Sequence, residues 1–210
     1  MVSNHADDKG RLDASVWRLS MNADKYVSLI PHDLNYFREW FVGRPMPGDW
    51  QPPPVTISGT SKKLPDVMSW MTAAPVVSEK GMKALESLGN CLQFLHFHDV
   101  KGKRYFAMNV ICVETHLLDL DRSSIAYDKD HQPLYLERAA FVTSDADMPP
   151  VFKVGFDDGK VFGPIFVTRT FAEVAISNKL SGFDLADPGR GGLRATLSGE
   201  SQNVVPGIVG

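Results

Sequence analysis

Cys91-Leu-Gln-Phe-Leu-His-Phe-His-Asp-Val100, then Lys101-Gly-Lys103, then Arg104-Tyr-Phe-Ala-Met-Asn-Val-Ile-Cys-Val113 decides the fold class. Two runs rich in aromatic and β-branched residues flank a short break, and Gly102 permits a tight reversal, so they read as an antiparallel hairpin. A second hairpin follows the same logic. Val151-Phe-Lys-Val-Gly-Phe156 faces Val161-Phe-Gly-Pro-Ile-Phe-Val167 across Asp157-Asp-Gly159, whose Asp-Gly step signals a turn. Each hairpin adjoins a short helix. Ser78 is placed to cap a helix over 79–88 that turns Met82, Leu85 and Leu88 to one face and stops at Gly89. Thr170 and Glu173 have capping-box spacing at the start of a helix running to about Lys179. The two strand–cap–helix stretches echo one another faintly. The class expected is α+β: mainly antiparallel sheet with a few short helices.

Working outward, Val16–Ile30 reads as an opening strand and its connection, and the aromatic spacing of Leu34–Val42 fits a short amphipathic helix. Gly43–Pro54 holds five prolines, which supply no amide donor and fix φ, so it is a connector anchored by Trp50. Thr115–Asp121 either extends the preceding strand or starts a third. Residues 1–14 are polar and aperiodic and read as a flexible arm. Residues 187–210 are Gly-rich and read as a tail that stays mobile or docks late through Val204, Val205, Ile208 and Val209. Between them, 15–186 forms one domain.

A formal charge of −3 over 210 residues carries no basic bias, which disfavours nucleic acid as a partner. The first ten residues lack the apolar core of a secretory signal, and no apolar stretch reaches the roughly 18 residues of a membrane span. The expectation is a cytoplasmic protein without a membrane partner, with Cys91 and Cys112 buried and reduced.

The richest polar constellation is His96-Phe-His98-Asp99, followed by Glu114, His116, Asp119 and Asp121. On a strand, His96 and His98 share a face and could reach one ion if Asp119 came from a neighbouring strand, since two histidines and a carboxylate suit zinc or non-haem iron. Asp119 and Asp121 likewise alternate as a carboxylate pair suited to acid–base work. A polar, half-solvated hairpin face and a turn-capping strand end explain the same residues. No Gly-x-Ser-x-Gly elbow or phosphate-binding loop occurs, and Gly189-Arg-Gly-Gly-Leu-Arg194 reads as tail rather than as a phosphate site. The residues alone indicate no enzyme, no cofactor and no resident metal. A metal site on His96, His98 and Asp119 stands as the alternative, and self-association through a sheet edge, giving a homo-oligomer, as a third reading.

Asp49-Trp-Gln-Pro-Pro53, Leu64-Pro-Asp66, Val77-Ser-Glu-Lys-Gly-Met-Lys-Ala-Leu85, Tyr105-Phe-Ala-Met-Asn-Val110, Leu118-Asp-Leu-Asp-Arg-Ser123 and Leu180-Ser-Gly-Phe183 form an ordered series over about residues 16–186. The series resembles the bacterial immunity-protein family of polymorphic-toxin systems, typified by a predicted Myxococcus immunity protein. The resemblance implies a small cytoplasmic protein that neutralises a cognate toxin by binding it. Its matching positions, Trp50, Pro53, Asp66, Ser78, Asp119, Asp121, Ser123 and Gly182, are expected to be turns, caps and anchors.

Overall fold

The structure is a computed structural model that describes residues 16–33, 40–71, 73–142, 148–156 and 158–189. The fold is α+β and sheet-rich, as the two hairpins require. Residues 1–14, most of 187–210 and most of the helix expected over 34–42 lie outside the described residues. Trp40–Gly43 follow bends rather than helix, and Phe41 takes a φ of 60°.

Strands β1 (Val16–Met21), β2 (Ser28–Pro31), β3 (Val55–Ser58), β4 (Val67–Met71) and β5 (Ala74–Ser78) come first, and β5 runs directly into helix α1 (Glu79–Leu85). Then come β6 (Leu92–His96), β7 (Tyr105–Val110), β8 (Val113–Glu114), β9 (Ser124–Tyr127), β10 (Pro133–Arg138), β11 (Val151–Val154) and β12 (Phe166–Thr168). Helix α2 (Arg169–Ser177) and β13 (Phe183–Ala186) complete the series. One sheet has the order β4-β5-β7-β6 and is wholly antiparallel; the other has the order β13-β1-β12-β11-β8, with only β8 and β11 parallel. Two further pairs, β2–β3 and β9–β10, form two-stranded ribbons.

The hairpin expected over residues 91–113 is present: Leu92 pairs with Val110 and His96 with Phe106. Lys101 and Gly102 both have positive φ (50° and 75°), and Val100 and Lys103 exchange backbone hydrogen bonds, the geometry of a type I′ turn. The second hairpin closes through Gly159 at φ 86° and pairs Val151 with Val167. Thr115–Asp121 forms no strand; β8 ends at Glu114 and turns follow.

Strand side chains alternate, and here both faces of both sheets are covered. Trp17, Val67, Val77, Met108, Val151 and Val167 point into one central apolar cluster, where α1 and α2 add Leu85, Phe171, Ala172 and Ala175. Their sequence neighbours point away from it. Met68, Val76 and Ala107 join Val27, Leu29, Phe41 and Phe97 on the outer face of the four-stranded sheet. Val16, Phe152 and Phe166 join Leu118, Leu136 and Phe162 on the outer face of the five-stranded one. The connector 40–54 is tied down by Gln93, whose amide donates to Met46 O and accepts from Met46 N, and by Asn109, which donates to Arg44 O.

Ser78 caps α1 as expected, its Oγ accepting from Gly81 N at 3.1 Å, but the helix tightens to a 3₁₀ turn over 86–91. The capping box at Thr170 and Glu173 does not form. Helix α2 starts a residue earlier, with Thr168 as N-cap and no side-chain capping bond, because Thr168 is buried at the end of a central strand. It ends on Lys179 at φ 49°, with Leu180 N donating to Ala175 O. The expectation of two reduced cysteines is corrected: Cys91 and Cys112 are joined in a disulfide, with Cα atoms 4.8 Å apart. The β6–β7 ladder carries them to opposite sides of the hairpin base, a pairing that burial and composition do not reveal.

Candidate interaction surface

Most residues singled out from the sequence hold the chain together. Asp66 Oδ1 accepts from Ser78 Oγ at 3.0 Å, while Oδ2 accepts from Ser181 Oγ at 3.0 Å, Ser181 N at 3.1 Å and Lys80 Nζ at 3.2 Å. Burial opposes ionisation of this carboxyl, but the bonds from Ser181, Lys80 and Ser78 outweigh it and hold its pKa below the ordinary value. Gly182, at φ 100°, brings the Ser181 backbone this close; a Cβ there would strike Val67 O and Pro65. Asp66, Ser78 and Gly182 thus lock the start of β4 to the caps of α1 and α2. Burial, with a smaller contribution from Asp66, pushes the nearby Tyr105 phenol up to about 12, and its hydroxyl donates to Pro65 O at 2.7 Å.

Asp119 sits in a turn, where it accepts from Arg122 N and Nε; its own N donates to Ala140 O. Those Arg122 bonds, against a smaller effect of burial, hold the Asp119 carboxyl below its ordinary pKa. Ser123 Oγ accepts from Ala140 N at 3.0 Å, and Asp121 is exposed. The strand-face carboxylate pair is therefore not formed. Trp50 packs edge-on against Phe41 with ring centroids 6.0 Å apart. Pro53 O lies 2.8 Å from His98 Nε2, which places that nitrogen as the donor.

His96 and His98 are not two residues of one strand face, because β6 ends at His96. His96 is exposed and meets Phe106 edge-on, while His98 is drawn to the connector. Glu114 uses its carbonyl to accept from Gly155 N, and His116 is exposed beside a cleft of about 260 Å³ that Leu118, Leu120 and Phe156 also line. Among the described residues, no group of three or more His, Cys, Asp or Glu side chains is placed to hold a metal ion.

A different feature stands out on the surface. Between β8 and β11 the chain leaves the sheets, and among the described residues this excursion carries five of the eight exposed large apolar side chains: Leu120, Tyr127, Leu134, Tyr135 and Val142. Its body is anchored by Leu118, Leu136 and Ala139 against Phe152 and Phe166. Three of the five lie on the β9–β10 ribbon, where Tyr135 stands opposite Ala126 and Pro133 opposite Tyr127. Asp128 builds the connecting turn, Oδ1 accepting from Asp130 N and Gln132 N at 2.8 Å each. The sequence held a signal for this ribbon, since Ser-Ile-Ala-Tyr and Leu-Tyr-Leu-Glu-Arg flank Asp128-Lys-Asp-His131.

Among the described residues, no helix is long and apolar enough to cross a membrane. No protein-family model matches the chain, and no curated protein matches it.

Proposed function

We propose that this protein is a binding protein of the immunity type, which neutralises a cognate toxin in the cytoplasm by protein–protein contact and catalyses nothing itself. The supporting observation is the exposed ribbon. Tyr127 is 54%, Leu134 51% and Tyr135 56% exposed, on a ribbon that Leu136 and Ile125 anchor to the core. Tyrosine is the side chain interfaces use most readily, with a large apolar body, a polar tip and only two side-chain torsions to immobilise. An apolar surface on a rigid support loses little conformational entropy on binding. In this reading Asp66, Ser78, Asp119, Ser123 and Gly182 supply the rigidity.

The test is co-expression with the product of the adjacent gene. The expected result is a toxic neighbour whose effect this chain suppresses and which co-purifies with it. A lethal neighbour that is neither bound nor suppressed refutes the reading.

A further inference from the structure

Strand β10 is exposed at Leu134, Tyr135, Glu137 and Arg138, whereas β9 is fully exposed only at Tyr127. Each ribbon strand has one neighbour, so β10 keeps an open backbone edge over Leu134–Arg138 among the described residues, irregular at the register shifts between Pro133 and Tyr135 and between Leu136 and Arg138. One residue beyond that span the edge already takes an added backbone: Ala139 N donates to Pro188 O at 2.9 Å. The surrounding charge is lopsided. Arg122 and Asp119 neutralise each other, leaving Asp121, Asp128, Asp130 and Glu137 against Lys129 and Arg138, a net −2 of the chain's −3.

From this geometry we infer that β10 is a docking edge for an extended, basic segment of a partner protein, added as a third strand. The inference rests on the binding reading above and names the surface and the partner's chemistry. The main-chain groups of Leu134–Arg138 that point away from β9 supply affinity, as in other strand additions. Tyr135 and Leu134 receive the segment's apolar side chains, and Asp130 and Glu137 face its lysines or arginines. Pro133 lacks an amide donor and ends the edge on one side, while Ala139 is already engaged on the other. A short edge limited at both ends selects a short segment and resists open-ended pairing with further copies of this chain.

The test is an amide chemical-shift titration of the full ¹⁵N-labelled chain with a synthetic peptide of alternating valine and arginine, and with its valine–glutamate counterpart. The expected shifts fall on Leu134–Arg138 with the basic peptide, and the acidic one binds at least about tenfold more weakly. Raising salt from about 50 to 500 mM should weaken the basic peptide by about tenfold, because exposed charges are then screened within a few ångströms. A doubly reversed variant, Asp130→Lys with Glu137→Lys, should invert the preference; both side chains are exposed, and unchanged melting checks the fold. Equal binding of both peptides, shifts centred elsewhere, or concentration-dependent self-association at β10 without peptide binding each overturn the proposal. If the toxin is neutralised and the basic peptide does not dock, the edge falls and the binding reading stands; docking without neutralisation has the opposite consequence.

Discussion

Lys153 is the most exposed of this fold's choices to a thermodynamic test, because it has no surface at all. It lies on β11 between Phe152 and Val154, is 0% accessible, and its ammonium donates to Phe41 O. Burial pulls its pKa from 10.5 to about 7. Between pH 7 and 10.5 the unfolded chain therefore binds a proton that the folded one does not, so stability rises with pH across that window and is unaffected by this group outside it. At about 1.36 kcal/mol per tenfold change, the group costs about 4 kcal/mol at pH 7 and under about 1 kcal/mol at pH 10. Lys153→Met keeps the length and removes the charge, forfeiting one hydrogen bond of about 1–1.5 kcal/mol. The variant should therefore be more stable than the parent by about 2–3 kcal/mol at pH 7 and about equal to it by pH 10. Urea unfolding of both proteins at pH 7, 8, 9 and 10 measures the difference directly, since other titrating groups are common to both. Parallel profiles, with a gap that changes by less than about 0.5 kcal/mol, would refute the argument and mean that the ammonium is solvated or paired.

Three further outcomes follow from the same structure. Cys112→Ser opens a loop of sequence separation 21 and should cost about 3 kcal/mol in denaturant midpoint measurements on oxidised protein; a cost below about 1 kcal/mol would refute that stabilisation. In a reducing cytoplasm the parent should approach that variant's stability, which reduction by dithiothreitol would reproduce. Gly182→Ala adds a Cβ against the Val67 carbonyl at φ 100° and should cost more than about 3 kcal/mol, whereas Gly48→Ala, with open space around it, should stay within about 0.5 kcal/mol on thermal melting. Asp66→Asn loses a lowered carboxyl held by three side chains and should cost about 2–3 kcal/mol at pH 7. Because the folded pKa is depressed, that stabilisation is full above about pH 4 and fades as pH falls through the lower folded value, so the variant's acid unfolding curve should be flatter.

The parts of the fold that were legible from sequence are those set by local chemistry. Lys101-Gly102 admits a type I′ turn, Ser78 offers an oxygen to the first turn of α1, and Gly89 and Gly159 reverse the chain at positive φ. The parts that were not legible depend on distant partners. Thr170 and Glu173 have capping-box spacing, but β12 pairs as far as Thr168, which becomes the N-cap. Cys91 and Cys112 meet because of the β6–β7 register, which composition does not encode. Asp66 and Ser181 are 115 residues apart, so the clamp they form has no local pattern. The carboxylates at 119 and 121 alternate as a strand would, yet Arg122 offers Asp119 two donors, and a turn results.

The location of the candidate surface follows from how thoroughly the two sheets are covered. A sheet with both faces buried cannot use a face for recognition, and here the central cluster takes one face of each sheet while a ribbon lies over each outer side. The outward sides of those two ribbons are therefore the places where β-structure meets solvent with apolar side chains. They are not equivalent. The β2–β3 ribbon shows Ile30 and Ile57, both aliphatic, near His32 and Thr56, which bond to each other. The β9–β10 ribbon shows two tyrosines and a leucine near the carboxylates of Asp128, Asp130 and Glu137, the mixture that gives an interface both a desolvated centre and a charged rim. If recognition used exposed aliphatic area alone, the two ribbons would be comparable candidates. Because tyrosine gains more on burial and an acidic rim favours basic partners, the proposed function predicts that Tyr135→Ser weakens binding of the proposed toxin partner at least about tenfold and that Ile57→Ser leaves it within about twofold in competition binding. Equal losses would mean that the protein presents both ribbons, and that charge does not choose between them.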